Sequence, residues 1–268
     1  MFTVTKYPQG HFSWADNSSK DAKGASKFYT DVMGWGKDEI PMGGGQIYTM
    51  FKQDGQHVAG LGQMMPDMIE QGMPSVWNSY ISVDDVDAMA EKAKGLGATV
   101  VAGPFDVFES GRMATLQDPT GAFVSLWQPK GHIGAGLVNT VGAMCWNELM
   151  TSDVEKAKTF YSDFLGWTYN KMDMGNGSDY WVIMNAGRAN GGIFPLAGDM
   201  ANMPPNWAVY FTVADIEATA AKIEPAGGKI HVPITEAPGT GRFIFIEDPA
   251  GAMVYLMQIN EAEPWDLE

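Results

Sequence analysis

The chain has 268 residues, 45% of them hydrophobic and 18% charged, which suits one or two globular domains and excludes wholesale disorder. A formal net charge of −15 argues against a nucleic-acid footprint and against docking on an anionic membrane. The opening "MFTVTKYPQG" has no apolar signal core, and no apolar run approaches the ~18 residues of a membrane span, so a soluble cytoplasmic protein is expected. The single cysteine, Cys145, has no internal disulfide partner and sits among apolar residues, as a core thiol does.

In chain order, residues 11–17 alternate as a short strand and lead into a helix. Asp21 stands at the helix start, where a carboxylate meets the orphan N–H groups and the dipole. Ala25, Phe28, Tyr29, Val32 and Met33 form an apolar stripe at helical spacing, and Gly34 suits a left-handed stop. Two or three strands follow over 46–63, with "QDGQ" as a hairpin turn. A strand and second helix come next in "WNSYISVDDVDAMAEKAKGLG", then a Gly-Arg strand, the turn "DPTG" and a last strand. Pro presets φ in such a turn and Gly accepts positive φ.

The second half repeats the first. "SWADNSSKDAKGASKFYTDVMGW" (13–35) matches "CWNELMTSDVEKAKTFYSDFLGW" (145–167) without a gap. Trp14 pairs with Trp146 at an offset of 146 − 14 = 132. "GRMATLQDPTG" (111–121) matches "GRFIFIEDPAG" (241–251) at an offset of 248 − 118 = 130. The chain is read as a tandem duplication: a first domain over 1–130, a Gly-rich linker over 131–139 and a second domain over 140–268. Each domain reads as two βαβββ units, an α+β pattern with helices on one sheet face.

The ordered series of strand, "KFYTDVMGW"/"TFYSDFLGW", "VDDVDA"/"VADIEA" and "DPTGAFVSLWQ"/"DPAGAMVYLMQ" resembles the vicinal oxygen chelate superfamily of glyoxalases, ring-cleaving dioxygenases and bleomycin or fosfomycin resistance proteins. It resembles in particular its tandem two-domain, glyoxalase-like actinobacterial and mycobacterial members. The resemblance implies that paired βαβββ units curl into a cup that holds the chemistry. Members that use a metal place His, Gln or Glu at inward positions on four strands. Those positions here are Trp14 and Trp146, Asn78 and Ala208, Gly60 and Gly192, and Ser125 and Tyr255. None is a usual divalent-metal ligand, so cups without the usual metal or any other cofactor are expected.

Strand side chains alternate faces. With Trp14 inward, Asp16 and Ser18 follow; with Trp146 inward, Glu148 and Met150 follow. Asn78, Tyr80 and Ser82 share a face, as do Ala208, Tyr210 and Thr212. Each cup then has aromatic walls and one carboxylate. Burial beside Trp raises a carboxyl pKa, which suits Asp16 and Glu148 to general acid–base work; a structural carboxylate bonded to an amide, an Arg or a Tyr hydroxyl is the plain alternative. Arg112 and Arg242 either pair with Asp118, Asp248 or the cup acid, or capture an anionic ligand. Trp14, Trp146, Tyr80 and Tyr210 either stack on an aromatic or cationic ligand or pack the core. His57 lies early in a strand of the first copy only; His132 and His231 read as surface residues, and His11 as facing away from the cup.

Two classes of function fit. One is a metal-independent lyase, isomerase or hydrolase acting on a small carbonyl compound. Asp16 and Glu148 would move protons, while Asn78, Tyr80, Ser125, Tyr210 and Tyr255 hold the oxygen. The other is a binding protein that sequesters an aromatic or cationic molecule. A metal enzyme with ligands moved to Asp16, Glu148 or His57 is a third reading. Differences between the copies predict unequal cups. The duplicated domains either pair within one chain, replacing a dimer, or dimerise further.

Overall fold

The computed structural model describes residues 3–174 and 179–261. The end of the expected second domain, residues 262–268, lies outside them. In the first half β1 (Phe12–Ser19), α1 (Ala22–Met33), β2 (Gly36–Gly43), β3 (Gln46–Gln53) and β4 (Gln56–Gln63) make one βαβββ unit. After a short α2 (Pro66–Glu70), β5 (Val76–Ser82), α3 (Val86–Gly95), β6 (Thr99–Val107), β7 (Gly111–Gln117) and β8 (Phe123–Pro129) make the next. The second half repeats the series: β9 (Met144–Thr151), α4 (Val154–Leu165), β10 (Thr168–Asp173), β11 (Asp179–Asn185), β12 (Arg188–Pro195), β13 (Asn206–Thr212), α5 (Ile216–Ile223), β14 (Lys229–Ala237), β15 (Gly241–Glu247) and β16 (Met253–Ile259).

Each half forms one cupped eight-stranded mixed sheet, in the orders β2-β3-β4-β1-β5-β8-β7-β6 and β10-β11-β12-β9-β13-β16-β15-β14. The central pairs β1–β5 and β9–β13 are antiparallel, and the strands that flank them are parallel neighbours. The local signals hold. Asp21 and Asp153 accept from the backbone N–H groups of Gly24 and Lys156, at 3.0 and 3.1 Å. Gly34 and Gly166 end their helices at φ 72° and 75°. Strands β2 and β10, beyond the expected set, are exposed sheet edges. The β2 sequence "GKDEIPMG" lacks an alternating apolar face, and Pro41 is tolerated because an edge strand pairs on one side only.

The backs of the two sheets pack against one another, flanked by the helices. Ser79 donates to Asn147 at 2.6 Å, and the Phe12 and Phe211 rings lie 4.9 and 5.0 Å from Trp207 and Trp77. Most of the interface is reciprocal. Trp35 Nε1 donates to the Gly142 carbonyl at 2.8 Å, and Trp167 Nε1 donates to the Gly10 carbonyl at 3.0 Å. Tyr29 donates to Asp248 at 3.0 Å and Tyr161 donates to Asp118 at 2.9 Å. This corrects the expected pairing of Arg112 and Arg242 with Asp118 and Asp248. Each turn Asp uses Oδ1 to accept its own turn's backbone N–H groups and Oδ2 to accept a tyrosine from the other domain.

Candidate functional site

The first cup is built on β1. Trp14 lies opposite Tyr80, while Asp16 lies opposite Asn78 on one side and Gly60 on the other. Tyr80 is in turn level with Ser125 on β8. Period-two alternation sends all these positions to the concave face. Asp16 is half-buried and takes three hydrogen bonds: Asn78 Nδ2 donates to Oδ1 at 2.9 Å, and the Tyr80 and Tyr48 hydroxyls donate to Oδ2 at 3.0 and 3.1 Å. Behind it, Trp14 Nε1 donates to the Tyr48 hydroxyl at 3.2 Å. Desolvation raises the Asp16 pKa above the usual carboxylate value, and the three donors offset part of that rise.

The second cup keeps this frame and changes its surroundings. Tyr210 donates to Glu148 at 2.9 Å, and Trp146 Nε1 donates to the Tyr180 hydroxyl at 2.8 Å. Glu148 is 6% exposed, and burial raises its pKa, opposed by bonds from Tyr210 and Tyr180. Where the first cup has Asn78 and Ser125, the second has Ala208 and Tyr255. Tyr255 stacks between Tyr210 and Phe245, at 4.3 and 4.4 Å. Met150, Leu196 and Met257 complete a separate apolar cluster there. The second cup is thus lined by packed apolar side chains; the lining of the first, with Trp14, Tyr80, Ser125 and Trp127, is equally buried but more polar. The first keeps polar groups on its concave face: Thr115 where the second has Phe245, and Lys52 and His57 where the second has Met184 and Ala189.

Tyr48 and Tyr180 are absent from the residues singled out in the sequence, yet both copies retain them at an offset of 180 − 48 = 132. They also bear on metal binding. A Cβ at Gly60 would land on the Tyr48 hydroxyl, and one at Gly192 on that of Tyr180. The space that a ligand side chain on β4 or β12 would need is occupied by a phenol bonded to the cup acid. Each cup offers one carboxylate, with tyrosine hydroxyls and, in the first, an amide. Among the described residues, no group of three His, Cys, Asp or Glu is placed to hold an ion. This donor set does not fit a divalent metal at the family's positions.

The arginines leave the site. Arg112 lies opposite Gln128 rather than Trp127, on the helix side of the sheet, and forks onto Asp87 at 2.6 and 2.8 Å. Arg242 likewise grips Glu217 beside Gln258. Neither reaches an acid in a cup. His57 contacts Asp38 at 3.2 Å near the outer end of the first cup. His231 meets Glu247 at 2.7 Å and is exposed, as expected. His11 is buried between the domains, its Nδ1 2.8 Å from Asn185 Nδ2. His132, expected at the surface, instead packs its ring edge-on against Trp14 at 4.6 Å, because the linker folds back over the cup. Cys145 is half-buried, and desolvation lifts its thiol to about 11, which leaves it unreactive near neutral pH.

Comparison with known proteins agrees with this architecture. The mycobacterial protein CFP32, from Mycobacterium tuberculosis and named provisionally as a glyoxylase, is 41% identical over 255 residues, covering 95% of this chain and 97% of that protein. The anthracycline biosynthesis protein DauV of a Streptomyces species is 30% identical over 277 residues, covering 97% and 98%. Among solved structures, the Mn(II)-bound glyoxalase from Novosphingobium aromaticivorans superposes with a TM-score of 0.65 at 16% identity, over 97% of this chain and 85% of that one. The 2,3-dioxygenase LapB from a Pseudomonas species does so at 0.65 and 13%, over 97% and 96%. At such identities the likeness concerns the fold. Among the described residues, no helix is long and apolar enough to cross a membrane. The model of the Glyoxalase/Bleomycin resistance protein/Dioxygenase superfamily matches twice, over residues 12–126 and 138–256, and the chain belongs to that superfamily.

Proposed function

We propose that the protein is a metal-independent, glyoxalase-like catalyst that moves a proton on a small carbonyl compound in its first cup. The observation that carries this reading is Asp16: a desolvated carboxylate with a raised pKa, between aromatic walls, in the cup that keeps amide and hydroxyl groups around its acid. A carboxylate destabilised by burial is a stronger base towards a carbon acid. It would take the proton α to a carbonyl, break that C–H bond, and leave the electron pair on the carbonyl oxygen as an enol or enolate. Where the α-carbon carries a hydroxyl, returning that proton to the former carbonyl carbon, while the hydroxyl proton passes to the enolate oxygen, completes an isomerisation. Tyr80 and Asn78, which bond Asp16, and Ser125, level with Tyr80 on the next strand, would receive the oxygen. The relative named as a glyoxylase supports the reaction class. A second reading is favoured by the aromatic surroundings: Trp14, Tyr80 and Trp127 would stack on a sequestered aromatic or cationic molecule. Pairing of the domains within one chain supports a functional monomer.

The test follows α-hydroxyacetophenone in D2O by proton NMR. The protein should speed exchange of the CH2 protons, before and after dialysis against a chelator. Asp16→Asn should abolish that exchange and Glu148→Gln should retain it. Exchange that survives Asp16→Asn, or disappears with the chelator, removes this mechanism. Uptake of the compound without exchange, lost in Trp14→Ala, supports sequestration instead.

A further inference from the structure

We infer that His132, carried by the linker between the domains, is a ligand-contacting residue of the first cup that grips an uncharged oxygen, carbonyl or hydroxyl, of a flat aromatic compound. The inference rests on the reading of the first cup as the working one. The linker is held by its backbone: His132 N–H donates to the Ser110 carbonyl at 2.9 Å, Ala135 N–H to Ser13 at 2.7 Å and Gly136 N–H to His57 at 2.8 Å. Trp127 Nε1 donates to the His132 carbonyl at 2.8 Å. Gly134, at φ +112°, permits the close approach, since a Cβ there would strike the Ser13 carbonyl. The ring is therefore fixed over the cup, with Trp14, Trp127 and His57 at centroid distances of 4.6, 6.0 and 6.4 Å.

Within this surround the His132 Nε2 atom is buried and has no hydrogen-bond partner. A buried polar atom left so is costly and calls for a partner. The polar groups nearby, Asp38, Lys52 and His57, satisfy one another: Lys52 Nζ lies 2.7 Å and His57 Nε2 3.2 Å from Asp38. Burial, with a smaller contribution from His57, pulls the His132 pKa down to about 4. At neutral pH the imidazole is therefore uncharged, which suits an uncharged oxygen better than a carboxylate or phosphate. Trp14 and Trp127 supply the flat apolar walls. The second copy has Ala262 at the matching offset of 130, so the grip belongs to the first cup alone.

The experiment uses the full chain with ring-¹⁵N-labelled histidine, which gives four imidazoles to follow. The probes are α-hydroxyacetophenone and, as its oxygen-free analogue, propylbenzene. Saturation with α-hydroxyacetophenone should shift the His132 Nε2 resonance, and propylbenzene should not. His132→Phe keeps the ring packing and should weaken α-hydroxyacetophenone roughly five- to tenfold, the scale of one neutral hydrogen bond, while leaving propylbenzene binding in place. His132→Gln should restore part of the loss. The His132 shift should persist in Asp16→Asn even if exchange stops, which separates this contact from the proton-transfer reading. The inference is overturned if neither probe binds saturably, if the tryptophan indole signals move while the His132 nitrogen does not, or if His132→Phe weakens both probes equally.

Discussion

The interface between the domains supports a prediction with an internal control. Tyr29→Phe and Tyr161→Phe each remove one buried hydroxyl at equivalent places. Tyr29 accepts from Trp77 Nε1 at 2.8 Å and donates to Asp248 Oδ2 at 3.0 Å; Tyr161 accepts from Trp207 Nε1 at 2.9 Å and donates to Asp118 Oδ2 at 2.9 Å. Each substitution deletes a charge-assisted bond, worth about 1.5–3 kcal/mol, and orphans an indole N–H at about 1–3 kcal/mol. The copies differ in one respect. Asp248 Oδ2 keeps Asn17 Nδ2 at 2.9 Å, whereas Asp118 Oδ2 has no second donor among the described residues; the place of Asn17 is taken by Leu149. Tyr29→Phe should therefore cost roughly 3 kcal/mol and Tyr161→Phe roughly 5 kcal/mol, because only the latter strands a buried carboxylate oxygen. At about 2–4 °C per kcal/mol for a chain of this size, the melting temperature should fall by ~6–12 °C and ~10–20 °C. Urea unfolding followed by tryptophan fluorescence gives the energies directly. Equal losses, or a larger loss for Tyr29→Phe, would refute the reasoning that the second donor holds Asp248.

Further outcomes follow from the cups. Asp16 has a folded-state pKa raised above 3.8, so the native state binds its proton more tightly than the unfolded chain does. Stability then declines as pH rises from that unfolded value through the folded pKa. Asn does not titrate, so the stability of Asp16→Asn relative to the parent should climb across that window in urea titrations from pH 4 to 8; a flat or falling difference counts against a raised pKa. Gly60→Ala should push Tyr48 off Asp16, cost about 1–3 kcal/mol by overpacking and slow any exchange in the first cup, while Gly192→Ala should cost a similar amount and leave exchange intact. Tyr255→Ala should cost about 3–5 kcal/mol by emptying a filled stack, against about 1 kcal/mol for Ser125→Ala, which loses one hydroxyl contact with Thr115 at 3.0 Å. Similar costs would contradict the view that Tyr255 is packed on both ring faces.

Much of the architecture was legible in the sequence because the chain states it twice. Recurrence at one offset separates a required residue from a chance one, and strand alternation then turns Trp14 and Asp16 to the same face. The same rule, applied to the Gly-Arg strand, would have excluded the arginines: Arg112 alternates with Met113, which lies level with Trp127 on the cup face. Strands β2 and β10 were hidden because an exposed edge needs no apolar alternation. His132 was hidden for a different reason. Its place depends on the path of a linker whose backbone bonds to β1 and β4, and composition says nothing of that path.

The two halves also show which residues duplication leaves free to part. At the interface several contacts recur with the copies exchanged, Asn17 against Leu149 being an exception: Trp35 meets Gly142 as Trp167 meets Gly10, and Tyr29 meets Asp248 as Tyr161 meets Asp118. A change on one side leaves a buried polar group on the other without its partner, so both sides are constrained together. A cup residue meets only its own cup. Replacing Asn78 by Ala208 and Ser125 by Tyr255 exchanges polar lining for packed rings without disturbing the other half. The second-cup rings and methionines form an apolar cluster of their own, whereas Trp14, Tyr80 and Trp127 of the first cup join the main core. The physical division is thus between a cup that surrounds its acid with packed rings and methionines and a cup that keeps an amide, hydroxyls and an imidazole near its acid.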